Sequence, residues 1–256
     1  MRSHGASSSY RLWITDPTQG RFTGNIEARW AGLGPYALEP AQLDQLGSIL
    51  DLLERDDSAP TTVREPDAAV ERHLADALSA LEVQELGAEG CAIADLGAGA
   101  GFPGAVLAVA LPSAHVSLVE SQRRKCEFLV RLLTGARIGN ANVVCARAEE
   151  WEEGRLANDV VVARALAPQP VVLEYAAPLL RPGGMLIDWR GRRDDGDERA
   201  AALAGRALGL ELREIREVRP FPSATDRHLH VWRKTGETPG RFPRRAGMAR
   251  KRPLGS

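Results

Sequence analysis

The chain has 256 residues, 33 basic against 34 acidic side chains, a net charge of −1 and 44% hydrophobic residues. That is ordinary globular composition, long enough for one large or two small domains, and it excludes collagenous or wholly disordered sequence. No apolar run approaches the roughly 20 residues of a membrane span, and near neutrality taken over the whole chain argues against a nucleic-acid partner.

The N-terminus lacks the apolar core of a secretory signal, so a cytoplasmic protein with no membrane partner is expected. Three cysteines, Cys91, Cys126 and Cys145, show no metal-ligand spacing. No metal site is expected, and the odd, sparse count fits reduced thiols.

Residues 1–38, rich in Ser, Gly, Thr and Pro, lack periodicity and read as a flexible extension; Trp13 and Trp30 would be its docking points. Leu43, Leu46, Ile49, Leu50 and Leu53 recur at helical spacing, and Val70, Leu74, Leu78 and Leu81 predict a second helix. They assign a small helical subdomain to residues 39–86. From Cys91 the pattern alternates. Strands are predicted at 91–96, 115–120, 142–145, 159–163 and 185–189. Helices at 103–111, 122–133, 170–180 and 198–208 separate or follow them. Two last strands, 211–218 and 227–234, are joined by a turn too short for a parallel crossover and must be antiparallel. Alternation of this kind predicts an α/β doubly wound sheet over residues 87–236. A Pro-containing, irregular basic tail, 237–256, completes the chain.

The most informative segment is Asp95-Leu-Gly-Ala-Gly-Ala-Gly-Phe-Pro-Gly104, between the first strand and a helix. It contains G-x-G-x-x-G at Gly99, Gly101 and Gly104, which alone is a weak signal. Two readings compete: a dinucleotide oxidoreductase using NAD, and an enzyme using S-adenosylmethionine (SAM). Both place an acid at the end of strand two for ribose hydroxyls, and Glu120 stands there. A catalytically inactive ribosome-binding module on the same fold is a third reading. The acid in Asp95-Leu-Gly, the Leu-Arg-Pro-Gly-Gly184 turn and the terminal antiparallel pair resemble class I SAM-dependent methyltransferases, whose Rossmann-like sheet has seven strands.

Within that class the loop DLGAGAGFPG, followed by LAVALP, VSLVES and RRKCEFL, resembles the GidB/RsmG family. Ala146-Arg-Ala-Glu149, Val162-Ala-Arg-Ala165, the stretch from Arg64-Glu-Pro66 to Leu78, and the basic C-terminus are similar too. The likeness runs from about Gln42 to Leu254. It departs at Ala59-Pro-Thr61, where the family has Asn-Leu-Thr, and at Arg190-Gly191, where it has Lys-Gly. The resemblance implies SAM-dependent methylation of N7 of the guanine at position 527 of 16S rRNA. The partner would be 16S rRNA or the small ribosomal subunit, and nothing demands more than a monomer.

The resemblance also implies cofactor contacts at Gly97, Phe102, Ala148, Glu149 and Arg164, to which strand position adds Glu120. Gly97 permits close approach, Phe102 covers an apolar flank, Ala148 leaves room beside adenine, and Glu149 orders the adenine pocket. Arg164 is expected to be catalytic, pairing with the methionine carboxylate or guanine O6 while leaving N7 free; Arg190 is the second expected catalytic cation. His73 reads as structural. Guanine N7 is nucleophilic through an in-plane lone pair, so no general base is needed. Accordingly no Asn/Asp-Pro-Pro-Tyr or Pro-Cys motif follows strand four.

RNA contacts are expected from Arg123, Arg124 and Lys125, from Arg192 beside Arg193, and from Arg244, Arg245 and Lys251. The last twenty residues hold six basic side chains and one acid, so the chain's neutrality is an acidic body offset by a basic tail. On this reading the tail engages RNA and its removal after Thr235 spares SAM binding.

Overall fold

A computed structural model of the protein describes residues 30–255. Trp13 and the rest of the expected extension up to residue 29 lie outside the described residues. The remainder of that extension is folded: a 3-10 turn, Ala31–Tyr36, seats Leu33 at 2% exposure in the core.

Helix α1 (Pro40–Arg55) starts with Pro at its first position and a reciprocal box in which Glu39 and Gln42 satisfy each other's backbone donors. Leu46, Ile49, Leu50 and Leu53 form its buried stripe. The second expected helix is not one regular helix. It runs as α2 (Pro66–Ala69), a π-helical stretch (Val70–Ala75), α3 (Asp76–Leu78) and a 3-10 turn (Ser79–Glu82). Local periodicity reports the apolar face and is blind to a change of winding, which tertiary contacts impose.

The main layer is a seven-stranded sheet: β1 (Ala92–Leu96), β2 (His115–Glu120), β3 (Ala141–Cys145), β4 (Asn158–Arg164), β5 (Leu180–Arg190), β6 (Leu210–Glu217) and β7 (His228–Lys234). Their spatial order is β3-β2-β1-β4-β5-β7-β6. The first five strands are parallel, and β7 lies antiparallel between β5 and β6. The covering helices are α4 (Gly104–Ala110), α5 (Arg123–Gly135), α6 (Gln169–Ala176) and α7 (Asp195–Leu208). Helix α7 shows how local chemistry sets such boundaries. Asp194 caps it through the Asp197 N–H, acids fill its first turn, and Gly209, at φ 75°, ends it.

The helical subdomain does not stand apart. One apolar cluster joins Leu46, Leu53 and Leu74 to Ile93, Leu107, Leu129 and Ile187. A second fills the other face between β4, β5, α6 and α7 and takes in Phe242 and Ala249 of the expected tail. The tail is therefore packed rather than free. Residues 237–247 run as turns into α8 (Met248–Lys251), laid against α6.

The expectation of three reduced thiols is corrected. Cys126 and Cys145 form a disulfide, leaving the buried Cys91 free. The pair is brought together because β3 aligns Cys145 with Glu120 on β2, and α5 begins just after that strand. Among the described residues there is no helix long and apolar enough to cross a membrane, and no group of His, Cys, Asp and Glu able to hold a metal.

Candidate active site

Parallel α/β sheets bind ligands beyond the carboxyl ends of their strands, and there the glycine loop leaves β1. Asp95, fully buried, accepts the Gly104 N–H at 2.8 Å and ties the loop's two ends together. Burial pushes its carboxyl up to about 7, against the opposing pull of the Gly104 N–H. A side chain at Gly104 would meet Asp95 Cβ at 2.7 Å, so this glycine is a packing requirement. Gly97 is a different case. Its φ of 72° is left-handed, and a Cβ there would lie 2.6 Å from Leu166 Cδ1.

A cavity of about 220 Å³ opens beside this loop. It brings together Gly97, Glu120, Ala148 and Glu149 of the expected cofactor set, with Leu166, Tyr175 and Arg250. Glu120 is buried and oriented by two backbone donors, Gly99 N at 3.2 Å and Gln122 N at 2.8 Å. A carboxylate held this way at the end of β2 fits a ribose diol, and the missing Cβ at Gly97 leaves the cradle open. The residues present thus fit a nucleoside-bearing cofactor. A larger cavity, about 590 Å³, lies away from the glycine loop, lined by Pro182, Lys234 and Phe242.

Phe102 and Arg164 do not line the smaller cavity; they form a cluster beside it. Arg164, at the end of β4, donates from Nη1 to Asp76 Oδ2 at 2.7 Å and to the Arg72 carbonyl at 3.2 Å. Its Nη2 lies 3.4 Å from His73 Nδ1. The His73 ring stacks on Phe102 with centroids 4.4 Å apart. Burial, reinforced by the Arg164 cation, holds His73 down at about 4, so the imidazole is neutral at physiological pH. Trp189 Nε1 closes the cluster by donating to the Asp76 carbonyl at 2.9 Å.

The family model for GidB, rRNA small subunit methyltransferase G, matches residues 52–220. Proteins named ribosomal RNA small subunit methyltransferase G are similar over most of the chain. The one from Rubrobacter xylanophilus is 38% identical, covering 75% of this chain and 75% of its own. That from a Synechococcus strain is 32% identical, covering 90% and 93%. This chain belongs to the GidB family. A SAM-dependent methyltransferase from Aquifex aeolicus shares the fold, with a TM-score of 0.51 at 16% identity over 65% of this chain and 92% of that one. Family membership decides the glycine loop's two readings in favour of SAM.

In this GidB protein several expected RNA contacts are already engaged. Arg244 is held within the fold: its Nε donates to the fully buried Glu174 at 2.8 Å, and its Nη2 to the Arg252 carbonyl. A buried carboxylate outcompetes a solvated phosphate for this guanidinium. Lys125 turns toward the cofactor cavity. Arg193 pairs with Glu198, and Arg123 with Glu127 in an exposed, weak bridge. Arg124, Arg192, Arg245 and Lys251 are exposed. Arg190, the second expected catalytic cation, is held within the fold. Its Nη1 donates to the Ala167 carbonyl at 2.9 Å and lies 3.6 Å from Asp188, so it anchors the 165–168 loop.

Sequence reasoning missed the contribution of the C-terminal segment to the cavity. Gly247 N donates to Glu149 Oε1 at 3.0 Å, and Arg250 Nη2 donates to the Leu166 carbonyl at 2.9 Å. Burial and the nearby Glu149 push the Tyr175 hydroxyl up, against the opposing pull of Arg250. The one available signal was the aromatic-proline pair Phe242-Pro243 within the basic run, a poor composition for a free arm.

Proposed function

We propose that this chain, a SAM-dependent methyltransferase of small-subunit rRNA, transfers the methyl group to N7 of the guanine at position 527 of 16S rRNA. The observation that carries the cofactor assignment is the cavity that gathers Gly97, Glu120, Ala148 and Glu149 at the carboxyl ends of the parallel strands. SAM, when bound, supplies an electrophilic sulfonium methyl. Glu120 receives the ribose hydroxyls, Gly97 lets the backbone approach, and Glu149 with Ala148 borders the adenine. Arg164 stands where the acceptor base enters. Its donors suit guanine O6, an acceptor that adenine lacks. N7 gives up no proton before attack, so the residues serve chiefly to orient the base and exclude water.

The test is methyl transfer from labelled SAM to small subunits lacking the modification, with the modified base mapped. We expect one labelled guanine at the stated position; label on another nucleotide, or none, rejects the assignment.

Arg124, Arg192, Arg245 and Lys251 remain as phosphate contacts. Substituting Arg124 with Ala is expected to lower the slope of log affinity against log salt by about 1, without altering which guanine is chosen. A salt dependence unchanged in binding titrations would remove Arg124 from the interface. The protein is expected to act as a monomer in the cytoplasm, where its substrate is made.

A further inference from the structure

We infer that His73 is a positioning residue for methyl transfer, fixing the Arg164 guanidinium at the acceptor end of β4. The inference rests on the functional reading above. A guanidinium donates and never accepts, so the 3.4 Å approach of Arg164 Nη2 makes His73 Nδ1 the acceptor. The ring proton therefore sits on Nε2 and points to Thr61 Oγ1 at 3.0 Å. Thr61 Oγ1 is itself held by the Val63 N–H at 3.1 Å. Donation runs from Arg164 to His73 and on to Thr61 Oγ1, where the Val63 N–H converges on the same oxygen.

Three otherwise separate parts of the molecule meet on this one ring. Thr61 belongs to the loop before α2, Phe102 to the glycine loop, and Arg164 to β4. The ring lies flat on Phe102, with 6° between planes, so it cannot swing without unstacking. It is carried by the π-helical stretch Val70–Ala75, a winding that recurs at functional sites. The same stretch supplies the Arg72 carbonyl to Arg164 Nη1. Asp76 neutralises the arginine, whereas His73 sets the direction of the second guanidinium nitrogen. Among the described residues, Nε and the second Nη2 hydrogen of Arg164 have no partner, which leaves donors for an incoming base.

Two substitutions separate the ring's functions. H73F keeps an aromatic surface on Phe102 and removes Nδ1. H73N removes the ring but returns an acceptor near the Nδ1 position. Using the full chain and modification-free small subunits, we expect H73F to lower kcat on the order of 100-fold, the cost of a misplaced positioning group. SAM affinity by calorimetry should stay within about twofold, since the lost interaction serves the transfer step. H73N should recover part of kcat. The H73F, R164K double variant should be no slower than R164K alone, as for residues acting through one another. Independently of activity, nitrogen NMR of the wild type should find His73 neutral and protonated on Nε2.

A proton on Nδ1, an unchanged kcat in H73F, or losses that add in the double variant each overturn the positioning role. So does an H73F defect confined to SAM affinity or melting temperature. If the wild type methylates no rRNA, the functional reading fails and takes this role with it. An active wild type with an indifferent His73 sinks the role alone.

Discussion

Removal of residues 236–256 is expected to cost the protein its SAM affinity as well as its RNA contacts. The truncation takes away Gly247 N and Arg250, which hold Glu149 and the Leu166 carbonyl at the cavity wall. It also leaves Glu174, fully buried, without the Arg244 guanidinium. An uncompensated buried carboxylate costs about 3 kcal/mol or more, and loss of the buried Phe242 adds about 2 kcal/mol. Set against a typical total of about 5–15 kcal/mol, the apparent melting temperature should fall by about 10 °C or more. Two single substitutions keep the test readable if the truncated chain aggregates. Arg250→Ala should weaken SAM binding by about tenfold, the worth of one good hydrogen bond to a charged group, with little change in melting. Arg244→Ala should do the reverse. Calorimetry and thermal melts decide. A truncated protein that melts normally and binds SAM normally would return the segment to the role of a free basic arm.

Gly97→Asp is expected to abolish SAM binding. A non-glycine residue at φ 72° costs about 1–2 kcal/mol, and its Cβ would press on Leu166 Cδ1 at 2.6 Å. The added carboxylate would enter the same cavity as Glu120, raising local repulsion where the ligand's ribose is to sit. A loss of at least about 100-fold in affinity follows if strain and repulsion together reach about 3 kcal/mol. Gly97→Ala carries the strain without the charge and should lose less. Retained affinity in the aspartate variant would remove Gly97 from the cofactor cradle.

Much of the scaffold was legible in advance. Each strand of the sheet was expected within a few residues, except that β5 begins at Leu180 rather than Met185. Its first residues, Arg181-Pro-Gly-Gly184, are turn-formers and give no strand signal, yet Leu180 pairs with Asn158 across an irregular register. Of the cavity residues, Glu120 is readable as a strand-end acid, whereas Gly97, Ala148 and Glu149 come with the family resemblance carried by contiguous motifs. The fates of the cations were not legible. Arg244, Arg245 and Lys251 look alike in sequence, but Glu174, seventy residues from Arg244, takes only the first.

Residue order alone carries the alternation of strands and helices, the glycine loop and the likeness to the family. Each is written in short-range periodicity, turn chemistry or contiguous motifs. The closed fold alone brings Gly247 and Arg250 of the basic segment to the cavity beside the glycine loop, and Cys126 to Cys145. It alone joined Arg164 to His73 and Asp76 across about ninety residues. Those pairings depend on which buried carboxylate or ring lies within hydrogen-bond reach once the core has closed. Desolvation makes such contacts compulsory in the fold, while nothing in the neighbouring residues announces them.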